Sequence, residues 1–186
     1  MGADIGLLVM RVIIGLTLAA HGSQKLFGWF GGHGFKATAQ GLDRVGFRPG
    51  PLMALLAGVG EAAGGILLAL GLLTPLGAAT GIGVMLNASS VHLPKGFWNS
   101  KGGLEYPLTI ATVFAGIALA GPGRFSLDHA IGWQQSTWVW GVVAVGVGLL
   151  AGLATVTARA RSIRARQPNG DIRDGAAASP TARPRG

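Results

Sequence analysis

Five apolar blocks alternate with short polar segments along the chain. They cover residues 5–27, 51–73, 75–93, 104–120 and 137–157. A run of about 17 to 25 apolar residues is long enough to cross the hydrocarbon layer of a bilayer as a helix. The pattern therefore predicts five membrane-spanning helices, of which the second and third are joined by a minimal turn before Pro75.

A shorter periodic segment lies between the first two blocks. Its apolar positions share one helical face: Phe35, Ala39, Leu42 and Val45 or Gly46. Its polar positions fall on the other faces: Lys36, Gln40, Asp43 and Arg44. This pattern predicts a short amphipathic helix in the membrane interface, either as a plain surface helix or as a lid over a site.

Small residues recur four positions apart inside the blocks, at Gly60 and Gly64 and again at Ala144, Gly148 and Gly152. Small residues at this spacing let helix backbones approach closely in lipid. They predict tight packing of the helices within a bundle.

Composition supports a membrane protein and narrows its chemistry. Hydrophobic residues make up 49% of the chain and charged residues 12%, whereas about a quarter of the residues in soluble domains are charged. The chain has no cysteine, so it can form neither a disulfide nor a dithiol electron relay. The net charge of +8 would suggest nucleic acid in a soluble protein, but charges beside membrane spans report topology. We therefore expect the lipid bilayer, and not nucleic acid, as the partner of the basic residues.

The basic residues are distributed unequally between the two sides of a five-span chain. One side holds thirteen of the fifteen: Lys25, Lys36, Arg44, Arg48, Lys95, Lys101 and the seven arginines after residue 157. On the other side only Arg124 lies outside a span. The positive-inside rule then predicts an external N-terminus and a cytoplasmic C-terminal tail. The tail, residues 158–186, is rich in Arg, Pro, Gly and Ala and is expected to be disordered.

Ionisable residues inside the spans are the main candidates for function. Arg11 lies in the first span and Glu61 near the middle of the second, at depths that a long guanidinium side chain could bridge. We expect an ion pair between them, with Glu105 as a competing partner. Such a pair either takes part in chemistry or fixes the helix register.

Further polar residues converge on the predicted cytoplasmic half of the bundle. The candidate catalytic residues are His21, Glu61, His92 and Glu105, and the candidate ligand-binding residues are Arg11, Lys25, Asn87 and Tyr106. Metal-ligand spacing such as HExxH is absent, so no metal site is expected. Two histidines at matched depth could hold a haem, but the chain has no CxxCH attachment motif.

Several stretches together resemble the DoxX family of small bacterial membrane proteins. They are RVIIGLTLAAHGSQKLFG at 11–28, EAAGGILLALGLL at 61–73, the segment 92–108 with its GLEYPL element, and GPGRFSLD at 121–128. The resemblance covers about residues 5–130. It implies an all-α polytopic membrane bundle with a four-helix core in residues 1–130. The fifth helix, which the apolar block at 137–157 predicts, is an addition on which the resemblance is silent. The resemblance also marks Arg11, His21, Gly22, Lys25, Glu61, His92, Glu105 and Tyr106 as the site.

The resemblance further implies a function and a location. The family is named for an association with thiosulfate:quinone oxidoreductase, so we expect a component of a quinone- or thiosulfate-linked redox system in the bacterial cytoplasmic membrane. Cytoplasmic redox or sulfur-metabolism enzymes would be its protein partners. The mechanism comes from the convergent polar residues and not from the resemblance: we expect His21 or His92 to hydrogen-bond a quinone carbonyl and Glu61 or Glu105 to move protons. Two alternatives stay open: a transporter gated by Arg11 and Glu61, and a non-catalytic anchor that recruits cytoplasmic enzymes.

Overall fold

All five apolar blocks form helices in the computed structural model, which describes residues 1–133 and 138–166. The long helices are α1 (Gly2–Phe27), α3 (Gly50–Leu70), α4 (Thr74–His92), α5 (Glu105–Ala120) and α7 (Trp138–Arg164). Two shorter helices, α2 (Gly34–Arg44) and α6 (Leu127–Ala130), lie in the connections. The described residues contain no strand, so the predicted all-α fold is confirmed.

Within the described residues, three helices, α1, α3 and α7, are long and apolar enough to cross a membrane. α5 is apolar but has only 16 residues, and α4 becomes polar in its last turns at Asn87 and Ser89. The chain is thus a helical membrane protein, while the count of five spans stays a prediction.

α4 occupies the centre of the bundle and packs against α3, α5 and α7, whereas α1 packs mainly on α3. Its inward face carries small residues such as Gly77, Ala78 and Gly81. A helix surrounded by other helices contacts little lipid, which explains why α4 tolerates a lower apolar content than its neighbours. The hydrophobic core lies beside it and includes Ile82 and Phe114.

Close backbone contacts set the spacing of the helices. A side chain at Gly148 would collide with the carbonyl oxygen of Ala79 and the Cβ of Ile82, and one at Gly152 with Leu86. The prediction that small residues on the last helix allow tight packing is therefore confirmed.

The amphipathic helix predicted after the first block is α2, which packs on α1 and α3. Its apolar face buries Ala39 and brings Leu42 toward the interior. Asp43 accepts a hydrogen bond from the backbone N–H of Gly50 at 2.9 Å and so ties the end of α2 to the start of α3.

α7 continues to Arg164, beyond the predicted end of the last span at residue 157. The expectation of disorder from residue 158 onward is thus wrong for residues 158–164. These residues stay helical because they dock on the α2–α3 connection: Arg159 Nε donates to Val45 O at 2.7 Å, and Ile163 lies against Gly46. The remainder of the predicted tail, residues 167–186, lies outside the described residues.

Candidate functional site

A cavity of about 400 Å³ lies between α3, α4 and α7, in the half of the bundle where α1 ends. Most of its lining is apolar and comes from residues such as Met53, Val84 and Ala151. Leu42 of α2 and Phe47 of the α2–α3 connection also line it. Its volume falls within the range of about 300 to 1,000 Å³ that is usual for small-molecule sites.

An ion pair between Lys25 and Glu61 forms one polar wall of the cavity. The Glu61 side chain is 2% exposed and the Lys25 side chain 30%. A carboxylate buried to this degree in a helix bundle needs a compensating charge, which Lys25 supplies. His21 lies one helical turn before Lys25 on α1.

The prediction of an ion pair between Arg11 and Glu61 is wrong. The two residues do not meet, because the register of α1 against α3 separates them. Gly22 packs on the backbone of Gly58 and Ala62, so the level of Glu61 in α3 is that of Gly22 in α1. Arg11 lies about three turns away, where its guanidinium approaches Gly71 and donates to Phe125 O at 2.6 Å. Glu105, the other partner expected for Arg11, does not meet it either. Its carboxylate accepts a hydrogen bond from the backbone N–H of Asn99 at 2.9 Å.

The opposite wall of the cavity is polar at Asn87 of α4 and Thr155 of α7. Thr155 Oγ1 donates to Asn87 Oδ1 at 2.7 Å, and Asn87 Nδ2 donates to Gly83 O at 3.0 Å. An amide nitrogen has a second N–H group, which offers a ligand in the cavity a hydrogen-bond donor. Asn87 was predicted from the sequence as a ligand-binding residue, whereas Thr155 was not.

The other predicted site residues do not line this cavity. His92 Nδ1 makes a 2.7 Å hydrogen bond with Gly102 O and holds the α4–α5 connection, as Glu105 does. His21 and Tyr106 line a separate, small crevice of about 50 Å³ between α1, α4 and α5. The structure thus brings Lys25, Glu61 and Asn87 to one cavity and leaves His92, Glu105, Tyr106 and Arg11 outside it.

A second polar cluster, which the sequence analysis missed, lies at the opposite end of the bundle. Asp128 is buried and accepts hydrogen bonds from Leu73 N at 2.8 Å, from Thr74 N at 3.0 Å and from Thr74 Oγ1 at 2.9 Å. The buried Arg11 lies close by, because its guanidinium approaches Gly71, whose carbonyl oxygen accepts a hydrogen bond from Asp128 N at 2.9 Å. The signal in the sequence was the GPGRFSLD segment, whose aspartate follows Ser126 in a helix-capping pattern. This cluster ties α1, the α3–α4 turn and the segment before α6 together.

The arrangement of the cavity suits a mostly apolar molecule with a polar head. Lys25 and Asn87 provide donors, and Glu61 provides an acceptor that can also carry a proton. Within residues 1–133 and 138–166, no group of three His, Cys, Asp or Glu side chains is placed to hold a metal ion.

The polar residues of the cavity on α1, α3 and α4 fall within the part of the chain that matches a known family. The family model of DoxX matches residues 6–93, which include Lys25, Glu61 and Asn87. The match confirms the resemblance over these residues, and the GLEYPL and GPGRFSLD stretches lie outside it. Comparisons with curated proteins and with solved structures returned no match. Residues 6–93 therefore form a DoxX domain, and this domain belongs to a helical membrane protein.

Proposed function

We propose that this protein is a quinone-binding membrane component of a redox system and that the cavity between α3, α4 and α7 is its quinone site. The observation that carries this proposal is the placement of the Lys25–Glu61 ion pair in the wall of an otherwise largely apolar cavity. A quinone has the matching chemistry, since its ring is apolar and its two carbonyl oxygens accept hydrogen bonds.

The roles of individual residues in this proposal follow from the positions of the side chains. Lys25 Nζ and the Asn87 amide are the donors for the two quinone carbonyls, in place of His21 and His92, which lie outside the cavity. Glu61 is the proton-transfer group, because its carboxylate is hydrogen-bonded to Lys25 at the cavity wall. In the ion pair the proton is on Lys25, so the Lys25 ammonium gives a proton to the reduced quinone oxygen, and the resulting amine is reprotonated by Glu61 after that carboxylate has taken up a proton from solvent.

No electron carrier belongs to the chain itself in this proposal, because the sequence contains no cysteine for a dithiol. The electrons come from a redox enzyme on the cytoplasmic side, of the quinone- or thiosulfate-linked class. The transporter alternative loses its main support, because it relied on a gated Arg11–Glu61 pair that does not form.

The proposal also includes a location and an orientation: the bacterial cytoplasmic membrane, with the N-terminus outside. Support comes from the helix directions, which put Lys25, Lys95, Lys101, Arg161 and Arg164 at the same end of the bundle. Basic residues concentrate on the cytoplasmic side of membrane proteins.

Equilibrium binding of a labelled ubiquinone to the purified protein in lipid nanodiscs tests the proposal. Lys25→Met removes a charged donor and is expected to weaken binding by about tenfold or more, since hydrogen bonds to charged groups contribute about 1.5 to 3 kcal/mol. Asn87→Leu leaves the ion pair intact and is expected to weaken binding by roughly fivefold.

The matched control is Lys36→Met, because Lys36 is an exposed lysine of α2 outside the cavity. Its affinity should equal that of the unmodified protein. Equal affinity of all four proteins, or no saturable binding by any of them, would contradict the proposal.

A further inference from the structure

The cavity is closed at its cytoplasmic end by the α2–α3 connection. Phe47, only 6% exposed, covers this end, and the guanidinium of Arg159 lies 5.5 Å from the centre of its ring. Arg159 also donates to Val45 O at 2.7 Å and to Ser90 O at 3.2 Å, which joins the connection to α4 and α7. Phe47 and the contacts of Arg159 therefore obstruct the route into the cavity from this end.

Helices α3 and α4 close the cavity at the other end. A side chain at Gly77 of α4 would collide with Gly64 O and Leu68 of α3, and Thr80 packs against Gly64. Backbones in such close contact leave no passage for a ring-sized molecule.

The side of the cavity between α3 and α7 is open. Both helices pack against α4, but they hardly touch each other. Two cavity-lining residues on the facing edges are exposed on the surface: Leu56 of α3, at 57%, and Ala151 of α7. This surface is apolar and belongs to the two helices that are long enough to cross the membrane, so the opening faces lipid.

We infer that the ligand is a long-tailed amphiphile of the isoprenoid-quinone class, which enters sideways from the bilayer and leaves its tail in the gap between α3 and α7. This inference rests on the proposed function. About 400 Å³ accommodates a quinone ring and the first part of a tail, whereas a tail of many isoprene units exceeds that volume and must leave the cavity. The lateral gap is where it can leave, because both ends are closed.

The inference is tested by narrowing the gap with Ala151→Trp. The variant is expected to weaken binding of a long-tailed ubiquinone by about tenfold, because the indole occupies the path of the tail. Binding of the tail-less dimethoxy-methyl-benzoquinone is expected to stay within about twofold of the unmodified protein. The matched control is Leu150→Trp, since Leu150 is 69% exposed on the same helix and does not line the cavity.

The inference is overturned if Ala151→Trp weakens the binding of both quinones equally, or of neither, or if Leu150→Trp has the same effect as Ala151→Trp.

A second measurement needs no quinone and so separates this inference from the proposed function. Because the chain lacks cysteine, Ala57→Cys puts a single thiol in the cavity.

This thiol should react with a lipid-dissolved aryl maleimide and be protected from a charged, membrane-impermeant maleimide. The added Ala151→Trp change should slow the lipid-phase reaction, and Leu150→Trp should not. Faster reaction with the charged reagent overturns lateral entry, whether or not any quinone binds. If the thiol reacts with the lipid-dissolved maleimide but the protein binds no quinone, the proposed function is contradicted. The lateral opening between α3 and α7 is then still supported.

Discussion

At the residue scale, the burial of charge distinguishes the two ends of the bundle. At one end both Arg11 and Asp128 are 1% exposed, whereas at the cavity end Glu61 is buried but its partner Lys25 stays partly accessible. The stability of a charge that is fully buried depends on its neighbouring charges and hydrogen bonds far more than the stability of a charge that can reach water. Arg11 and Asp128 therefore belong to the framework of the protein, and Lys25 is suited to exchange partners with a ligand.

Asp128→Asn is expected to lower the free energy of unfolding by about 3 kcal/mol, because it keeps the shape of the side chain but leaves the buried Arg11 without a compensating charge. Chemical unfolding in detergent micelles measures this loss. The control is Asp43→Asn, since the Asp43 side chain is 40% exposed and its ion pair with Arg48 is long, at 3.7 Å. That change should cost about 1 kcal/mol or less. Equal losses for the two variants would show that Asp128 does not compensate Arg11.

The sequence placed three of the cavity's polar residues in the predicted site but paired the charges incorrectly. Arg11, Gly15, Leu18 and Gly22 lie on one buried stripe of α1, and Lys25 continues its spacing. The stripe alone does not say which of its two basic residues meets Glu61. That choice depends on the helix register, which is set by the contacts of Gly15 and Gly22 with α3. These are contacts between helices. They cannot be inferred from how deep a residue lies in its predicted span.

At the scale of elements, α7 is part of the site although it lies outside the DoxX match. It supplies Ala151, Gly152 and Thr155 to the cavity wall, and its Arg159 holds the α2–α3 connection. The apolar block predicted this helix, but its amphipathicity is too weak to indicate where it docks. Its position follows from the glycines that contact α4.

Gly148→Ala is expected to lower the free energy of unfolding by about 1 to 3 kcal/mol, because the added methyl group meets the backbone of α4 at Ala79. Thermal unfolding followed by circular dichroism detects the change. Gly146→Ala on the same helix is the matched control, since no atom lies within 4 Å of a Cβ placed there. This change should leave the free energy of unfolding unaltered or raise it by up to about 1 kcal/mol, because alanine has a higher helix propensity than glycine. The reverse order of stability would contradict the docking of α7 on α4.

At the scale of the whole molecule, the bundle has two different ends. One end carries the cavity and most of the basic residues of the described chain, whereas exposed tryptophans lie at both ends: Trp29 and Trp98 at this end, Trp138 and Trp140 at the other. The other end is closed by the Asp128 cluster. This asymmetry connects the proposed orientation with the proposed site, because the ion pair of the cavity lies in the half of the bundle that is proposed to face the cytoplasm.

Single cysteines in the cysteine-free chain test the orientation. Ala130→Cys, at the exposed end of α6, should react with an impermeant maleimide in intact cells. Ser100→Cys, exposed in the α4–α5 connection, should react only after the membrane is permeabilised. The opposite pattern would reverse the orientation, and labelling of both sites in intact cells would contradict the predicted number of spans between them.

Photo-crosslinking with an azido-ubiquinone, followed by mass spectrometry of the labelled peptides, tests the central claim that this cavity binds a quinone. We expect saturable labelling within residues 53–61, 79–91 and 151–155, which unmodified ubiquinone competes away and which is reduced in Lys25→Met. Labelling confined to the crevice of His21 and Tyr106, or labelling that ubiquinone does not compete, would contradict it.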